Sequence, residues 1–258
     1  MKKALSVTYG ALAYVMFLGA YLYLIAFTVN AVPNSISGPT SLPPLLAAAI
    51  DLGLITIFGL QHSIMARPGF KRLWTRIVPP HLERSTYVVI GSVMVVLIVV
   101  CWQPIGGEIW NVTGAGMVAL YAIAALGWLV VPVTSFLTDH FELFGLRQVF
   151  EYALGRPKSK PMFKVRAFYR KVRHPMMLGW MVGFWATPYM TTGHLLFAGL
   201  MTSYILVAIH FEERDLAREH GPAYRAYQAR VPKLVPFSKP AGAEQGAFEG
   251  MVGEPQIQ

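Results

Sequence analysis

The chain has 258 residues, of which 55% are apolar and 14% are charged, and its mean hydropathy is +0.47. This composition is typical of an integral membrane protein and excludes an ordinary soluble domain. The formal charge of +9 would suit a nucleic-acid ligand in a soluble protein, but beside apolar spans it indicates contact with anionic lipid headgroups. We therefore expect membrane lipids as partners and no nucleic acid.

The single cysteine, Cys101, excludes a disulfide within the chain and a cysteine-based metal cluster. The histidines show no metal-ligand spacing, so no metal is predicted. The sequence also lacks a Gly-x-Gly-x-x-Gly pattern and a Walker loop, which excludes the soluble nucleotide-binding folds that are built on them.

Four apolar segments have about the twenty residues that are needed to cross the hydrocarbon core of a bilayer. A basic leader, Met1-Lys2-Lys3, precedes the first segment as in a signal peptide, but no small-residue cleavage pattern follows it. The first segment is therefore predicted to be a retained span. The four predicted spans cover residues 5–29, 45–65, 86–102 and 114–137.

A fifth apolar region, residues 175–211, is too long for one span and is interrupted by polar residues at 191–194. We predict a transmembrane helical hairpin whose arms have about 19 residues, or roughly 28 Å each. Beyond the hairpin, a helix is expected to end at Gly221, and Pro222 suits the first turn of a second short helix.

The segment between the fourth span and the hairpin is predicted to contain a helix in the membrane interface, because apolar and charged residues recur there at helical spacing. The predicted fold class is thus an all-α integral membrane protein with four transmembrane helices, a C-terminal hairpin, this interfacial helix and short cytoplasmic helices. Residues 1–138 form the four spans, residues 139–237 form the remaining helices, and residues 238–258 form a disordered tail.

The basic residues are confined to a few parts of the chain. Of the 22 Lys and Arg residues, two lie in the leader, five in residues 67–84, nine in residues 147–173 and six from residue 214 onward. Loops at 30–44, 103–113 and 190–194 contain none. Because cytoplasmic loops retain Lys and Arg, this distribution predicts that both termini and both basic loops are cytoplasmic.

The predicted hairpin brings charged residues together, because its two ends lie at the same distance from its turn. Arg173 and His174 then face Glu212 and Glu213. With Pro175 in the first helical position, the helix start and Arg173 can bind a carboxylate or a phosphate. The glutamates can accept hydrogen bonds from ribose hydroxyls or attract a cation. The alternative is that Arg173 and the glutamates form only an interfacial ion pair.

These residues belong to a longer pattern, which resembles the cofactor region of the membrane methyltransferases that include isoprenylcysteine carboxyl methyltransferase and the phospholipid methyltransferases. The pattern comprises Tyr169-Arg170-Lys171-Val172-Arg173-His174-Pro175, Gly179, Glu212-Glu213, Leu216, His220-Gly221, Tyr224, Tyr227 and Val231-Pro232. It covers residues 165–237, and Met177 departs from it where the family usually has tyrosine. The resemblance implies that this region binds S-adenosylmethionine. The residues it assigns to the cofactor are Tyr169, Arg173, His174, Leu178, Gly179, Glu212, Glu213, Tyr224 and Tyr227.

Two further segments, residues 139–148 and 184–188, are similar to the bacterial methanethiol S-methyltransferase family, which resembles the NnrU-like membrane proteins. This resemblance implies an enzyme of the bacterial inner membrane that uses S-adenosylmethionine to methylate a small thiol, methanethiol, to dimethyl sulfide. The alternatives are a methyltransferase that acts on a lipid or prenylcysteine acceptor, and an NADPH-dependent membrane reductase. A transporter is less favoured because the sequence shows no repeated halves. A monomer is the simplest expectation.

A thiol is mostly protonated near neutral pH, so its methylation needs a base or an electropositive pocket. His140, oriented by Asp139, is the predicted base, and the alternative is that both residues only cap the interfacial helix. His62 lies near the cytoplasmic end of the second span and is predicted to line the substrate pocket. Trp180 and Phe184, which lie at near-helical spacing, are predicted to form its apolar wall.

Overall fold

The computed structural model describes residues 1–157, 165–236 and 238, and this part of the chain is almost entirely helical. The first half contains α1 (Lys2–Thr28), α2 (Pro44–Ala66), α3 (Pro68–Trp74), α4 (Glu83–Cys101), strand β1 (Glu108–Asn111) and α5 (Gly114–Thr138). The second half contains α6 (His140–Leu143), α7 (Leu146–Leu154), a 3-10 helix (Ala167–Arg170), α8 (Pro175–Trp185), strand β2 (Tyr189–Thr191) and α9 (Thr192–Arg230).

Five of the described helices are long and apolar enough to cross a membrane, namely α1, α2, α4, α5 and α9. They confirm the predicted class, an all-α integral membrane protein, and they include the four spans predicted for the first half of the chain. Prolines begin several helices, because the amide group at the first helical position has no hydrogen-bond partner within the helix, so proline loses nothing there. Pro44, Pro68 and Pro175 occupy these positions.

Six helices contact one another in the order α1, α4, α2, α9, α8 and α5. A hydrogen bond from Tyr21 Oη to the carbonyl oxygen of Trp128 (2.5 Å) joins α1 to α5 and closes the ring. Large apolar side chains from all six helices form one core, which includes Phe27, Ile55, Ile98, Val99, Trp128, Phe184, Phe197, Ile205 and Ile209.

The basic loops lie at one end of the ring, and the loops without Lys or Arg lie at the opposite end. At one end, Nη1 of Arg67, the residue after α2, lies 2.6 Å from Asp215 Oδ2 of α9. We call this the basic end; it carries residues 67–84, 139–157, 165–174 and 211–236. At the opposite end, the Gln103 amide donates a hydrogen bond to Asp51 Oδ1 (2.9 Å), and β1 pairs with β2.

The hairpin differs from its predicted form in its first arm. The prediction of a fully helical arm is wrong, because α8 has only 11 residues and ends at Trp185. Pro188 disfavours helical backbone at Thr187, and residues 189–191 instead pair antiparallel with β1. The second arm begins near the predicted turn, where the Thr191 hydroxyl accepts a hydrogen bond from the His194 amide (3.2 Å) and caps α9.

Two glycines with positive φ break the helices of the basic end. Gly221, at φ 55°, kinks α9 at the predicted position, and Pro222 follows the kink. Gly145, at φ 84°, separates α6 from α7, so the predicted single interfacial helix is two short helices. A side chain at Gly145 would also collide with Ser85 of α4. Of the predicted disordered tail, residues 238–258, all but Ser238 lie outside the described residues.

Candidate active site

A cluster of buried charges joins the two ends of the hairpin. Glu213 Oε1 accepts hydrogen bonds from Arg173 Nε (2.7 Å) and from His174 Nε2 (3.0 Å). Lys233 Nζ lies 3.6 Å from the other oxygen of the same carboxylate. Arg173 and Glu213 are only 4% and 8% exposed, so each charge depends on the other for compensation. The predicted meeting of these residues is therefore confirmed.

Arg173 also fixes the segment that follows α9. Its Nη1 donates to the carbonyl oxygens of Gln228 (3.0 Å) and Val231 (2.5 Å). The backbone amides of Arg173 and His174 donate to the carbonyl oxygens of Pro232 (2.9 Å) and Lys233 (3.1 Å). Arg173 thus forms the ion pair that was the alternative to ligand binding, and its predicted contact with the cofactor stays a prediction.

Glu212 is the accessible carboxylate of this cluster. Its side chain is 47% exposed, whereas that of Glu213 is 10% exposed, and its Oε2 lies 3.7 Å from His174 Nδ1. It interacts electrostatically with Tyr87 of α4 and with Tyr169 of the 3-10 helix. Glu212 therefore lies among groups from three separate segments of the chain, and about half of its side chain is exposed to a ligand.

Tyrosines connect this cluster to the end of α5. Tyr227 Oη donates a hydrogen bond to the carbonyl oxygen of Tyr169 (2.6 Å), and the Tyr169 hydroxyl is hydrogen-bonded to Thr138. Burial raises the pKa of Tyr169 above its ordinary value of 10.0, so its phenol stays protonated. Tyr224, 1% exposed, packs beside Tyr227 with 5.9 Å between ring centroids. Tyr169, Tyr224 and Tyr227 therefore lie together, and they adjoin Thr138 at the end of α5.

His140 is buried at this junction. Its Nε2 is hydrogen-bonded to Tyr14 Oη (2.7 Å) and its Nδ1 to Ser135 Oγ (2.7 Å). Its ring stacks on Phe136, with 3.8 Å between centroids. Burial lowers the pKa of His140 below its ordinary value of 6.5, so the imidazole is neutral at pH 7 and one nitrogen accepts while the other donates.

The prediction that Asp139 orients His140 is wrong. Asp139 Oδ1 accepts a hydrogen bond from the Glu142 amide (3.2 Å), and its other oxygen pairs with Arg147. For Asp139, the alternative of a helix cap is the correct one. The residues that orient the imidazole, Tyr14 and Ser135, were not identified from the sequence. Tyr14 lies 126 positions away along the chain, so no local pattern connects it to His140.

Gly179 and Leu178 lie on α8. A Cβ atom at Gly179 would come within 2.8 Å of the carbonyl oxygen of Gly127, and one at Gly127 within 2.8 Å of the Gly183 amide nitrogen. These glycines let α5 and α8 pack closely, as small residues do between membrane helices. Gly179 therefore has a packing role, while Leu178 is half-buried. Their contact with a cofactor stays a prediction.

The three predicted pocket residues lie in two places. Trp180 and Phe184 form an aromatic cluster with Tyr21 and Trp128, in which Trp180 lies 5.4 Å from Tyr21 and 5.5 Å from Trp128 between ring centroids. Phe184 is fully buried. His62 instead packs on Phe58 (5.3 Å) and Tyr87 (4.9 Å) between α2 and α4. The structure describes no direct contact between His62 and this aromatic cluster.

Within the described residues, His, Cys, Asp and Glu side chains form no group of three or more that could hold a metal ion. The residues that fit a ligand at the basic end are Glu212, whose side chain is 47% exposed, and Lys233, whose side chain is 44% exposed. Lys233 follows Pro232 of the recognised pattern, but the sequence offers no signal that it reaches Glu213.

Comparison with known proteins identifies relatives along nearly the whole chain. The chain is 48% identical to methanethiol S-methyltransferase of Mycobacterium tuberculosis over 239 residues, which are 92% of this chain and 98% of the relative. It is 44% identical to methanethiol S-methyltransferase of Crocosphaera subtropica, with 92% and 94% of the two chains covered. Nurim of Pan troglodytes is 30% identical, with 84% and 91% covered.

No family model matches the chain, and no solved structure matches it. The relatives confirm the resemblance to this family, and the two methyltransferases match 92% of the chain. The chain therefore belongs to the methanethiol S-methyltransferase family of membrane enzymes.

Proposed function

We propose that this protein transfers a methyl group from S-adenosylmethionine to methanethiol, giving dimethyl sulfide and S-adenosylhomocysteine. The proposal rests on relatives that are named for this reaction. The base of the hairpin also carries a partly exposed carboxylate, Glu212, that a ligand can reach. When bound, S-adenosylmethionine supplies an electrophilic methyl carbon on a positively charged sulfur. The ionised thiol forms a bond to that carbon as the carbon–sulfonium bond breaks.

The residues at the basic end fit such a donor. The exposed oxygens of Glu212 suit ribose hydroxyls or a positively charged group, and the half-exposed Lys233 suits a carboxylate. Glu213, which is held by Arg173 and His174, keeps the middle of α9 against the start of α8. This arrangement fixes the Glu212 backbone, so that the ligand meets a preformed site.

We place the acceptor thiol toward the apolar interior of the ring. Attack of a thiolate on a sulfonium neutralises two opposite charges, so a site that excludes water favours it. Trp180 and Phe184 supply such an apolar wall beside Trp128. His140 accepts the proton of the thiol in this proposal. Because its nitrogens already bind Tyr14 and Ser135, the proton passes through one of these hydroxyls.

The orientation in the membrane also belongs to the proposal. Both termini and the basic end face the cytoplasm of a bacterial cell, and the protein lies in the inner membrane. The distribution of all 22 Lys and Arg residues supports this orientation. It also gives the site access to a soluble cofactor from the cytoplasm.

The test uses the purified full-length chain in detergent micelles. Calorimetry against S-adenosylmethionine, S-adenosylhomocysteine and NADPH is expected to show binding of the first two only. Gas chromatography of the headspace is expected to show dimethyl sulfide when methanethiol and S-adenosylmethionine are both present. Binding of NADPH alone would replace the proposal with a reductase. Methylation of a prenylcysteine or of phosphatidylethanolamine, but not of methanethiol, would replace the acceptor.

A further inference from the structure

A cleft of about 590 Å³ lies at the basic end, between the C-terminal end of α2 and α9. Ile64 of α2 and Arg67, the residue after α2, line one side, and Phe211, Arg214 and Asp215 of α9 line the other. None of the residues of the buried Glu213 cluster lines this cleft. Along α9, Glu213 is buried in the hairpin base, whereas the next residue, Arg214, is exposed. The cleft is therefore separate from the candidate active site.

The cleft has a surplus of positive charge. Arg67 pairs with Asp215 at 2.6 Å, and Arg218 lies 3.9 Å from the other oxygen of Asp215. Arg214 packs against the Phe211 ring, with 5.3 Å from its guanidinium carbon to the ring centroid. In the part of the chain that the structure describes, no carboxylate lies within ion-pair distance of Arg214.

The Phe211 ring holds two of these arginines in place. The Arg67 guanidinium carbon lies 4.9 Å from the ring centroid, close to the 5.3 Å of Arg214. Stacking on an aromatic ring restricts a guanidinium and leaves its N–H groups available around the edge of its plane. The three arginines outnumber the two lining carboxylates, Asp215 and Glu219. The cleft thus offers preformed donors to an anion.

An apolar surface leads into the cleft from the side of the ring. Ile57, Leu60 and Ile64 lie three to four residues apart on α2 and are 59%, 57% and 50% exposed. Val207 of α9, 55% exposed, lies one turn before Phe211. Since these helices are long enough to cross a membrane, this outer surface contacts acyl chains, and it ends at the arginines.

We propose that the cleft is a binding site for an anionic phospholipid. Arg214 and Arg218 bind the phosphodiester, and an acyl chain lies along Ile64 and Leu60. Arginine binds phosphate oxygens through two parallel hydrogen bonds, so these residues suit the group. A zwitterionic headgroup would need a carboxylate for its ammonium group. Asp215 is already shared by two arginines, so Glu219 is the lining carboxylate that remains, against three arginines. A free phosphate would make no use of the apolar surface.

The test is native mass spectrometry of the full-length protein in detergent, titrated with phosphatidylglycerol. We expect one tightly bound lipid per chain. Arg214→Gln should weaken the affinity about fivefold, and Arg214→Gln with Arg218→Gln about 25-fold, the usual effect of one basic residue at a lipid surface for each change. Arg76→Gln is the matched control, because Arg76 is an exposed arginine at the same end that does not line the cleft.

Each arm of the experiment has a defined outcome. Phosphatidylcholine should bind at least tenfold more weakly than phosphatidylglycerol, and millimolar inorganic phosphate should not displace the lipid. Equal binding of the two lipids would overturn the charge argument. Displacement by inorganic phosphate would make the cleft a phosphate site. An Arg76→Gln variant as weak as Arg214→Gln would show only a general effect of surface charge. The displacement experiment with inorganic phosphate uses the wild-type protein, so it tests the proposal even if a substitution prevents folding.

Discussion

His174 Nε2 lies 3.0 Å from Glu213 Oε1, although 39 positions separate the two residues along the chain. His174 precedes the first turn of α8, and Glu213 lies in the last part of α9 before the kink at Gly221. The contact closes the base of the hairpin. Because Glu213 also binds Arg173, it is committed to holding the structure, while its neighbour Glu212 remains accessible to a ligand.

The two adjacent glutamates should respond differently to the same substitution. Glu213→Gln leaves Arg173 buried without a charged partner, and we expect the free energy of unfolding to fall by about 3–5 kcal/mol. Thermal unfolding in detergent measures this change. Glu212→Gln should alter the free energy of unfolding by less than about 0.5 kcal/mol, because about half of the side chain is exposed and its contact with His174 is long, at 3.7 Å.

The same Glu212→Gln variant should lose affinity for S-adenosylhomocysteine by about 1.5–3 kcal/mol, the usual contribution of a hydrogen bond to a charged group. Calorimetry on the folded variant measures it. Unchanged affinity would remove Glu212 from the ligand site, and a large loss of stability would show that this residue too is structural.

The stability of the protein should depend on the protonation of His140. Its pKa is lowered by burial, so below pH 6.5 the unfolded chain binds a proton that the folded protein does not. Stability should therefore fall as the pH decreases from 7 through the pKa of the folded protein, and this contribution should be absent above pH 7. The unfolding midpoint, measured from pH 5 to pH 8 in wild type and in His140→Gln, tests this. Parallel curves for the two proteins would contradict the expectation.

Turnover should also depend on His140 if it accepts the proton of the thiol. We expect His140→Ala to lower kcat with methanethiol by about 100-fold and to leave the affinity for S-adenosylhomocysteine nearly unchanged. The loss should shrink as the pH approaches the pKa of the thiol, because the substrate then ionises without a base. A variant that loses cofactor affinity instead would have a structural defect, and His140 would be reassigned to packing.

The close contact between α5 and α8 predicts a large difference between two glycine substitutions. Gly179→Ala forces a Cβ atom within 2.8 Å of a carbonyl oxygen of α5, and should lower the free energy of unfolding by about 1–3 kcal/mol. Gly199→Ala, on α9, meets no atom within 4 Å, and should be neutral or stabilising by up to about 1 kcal/mol. Thermal unfolding of both variants compares them directly. Equal effects would show that the helices can separate without cost.

Reporter fusions test the proposed orientation. A reporter joined after Val29 follows one span, whereas a reporter joined after Gln258 follows the whole chain. We expect an enzyme reporter that is active only outside the cytoplasm to work at the first site and not at the second. Activity at both sites would mean that one arm of the hairpin or one of the four other spans does not cross the membrane.

The sequence by itself determined the membrane class, the spans of the first half and the meeting of Arg173 with Glu213. Each follows from a property that can be read along the chain, without knowing which distant residues are in contact. Apolar length sets a span, a glycine before a proline breaks a helix at Gly221, and equal arm lengths bring the ends of a hairpin together. The extended strand at residues 189–191, which follows α8, is not predicted by the sequence, because it depends on pairing with β1, which lies far earlier in the chain.

Only the tertiary structure decided which side chains surround each polar group. His140 binds Tyr14 and Ser135 and not Asp139, and Arg173 binds carbonyl oxygens beyond α9. The spans are apolar on all sides, because both the lipid and the ring interior are apolar, so their sequences do not show which face points inward. The order of helices around the ring, and with it the partner of every buried polar atom, is set by close packing between residues far apart in the chain.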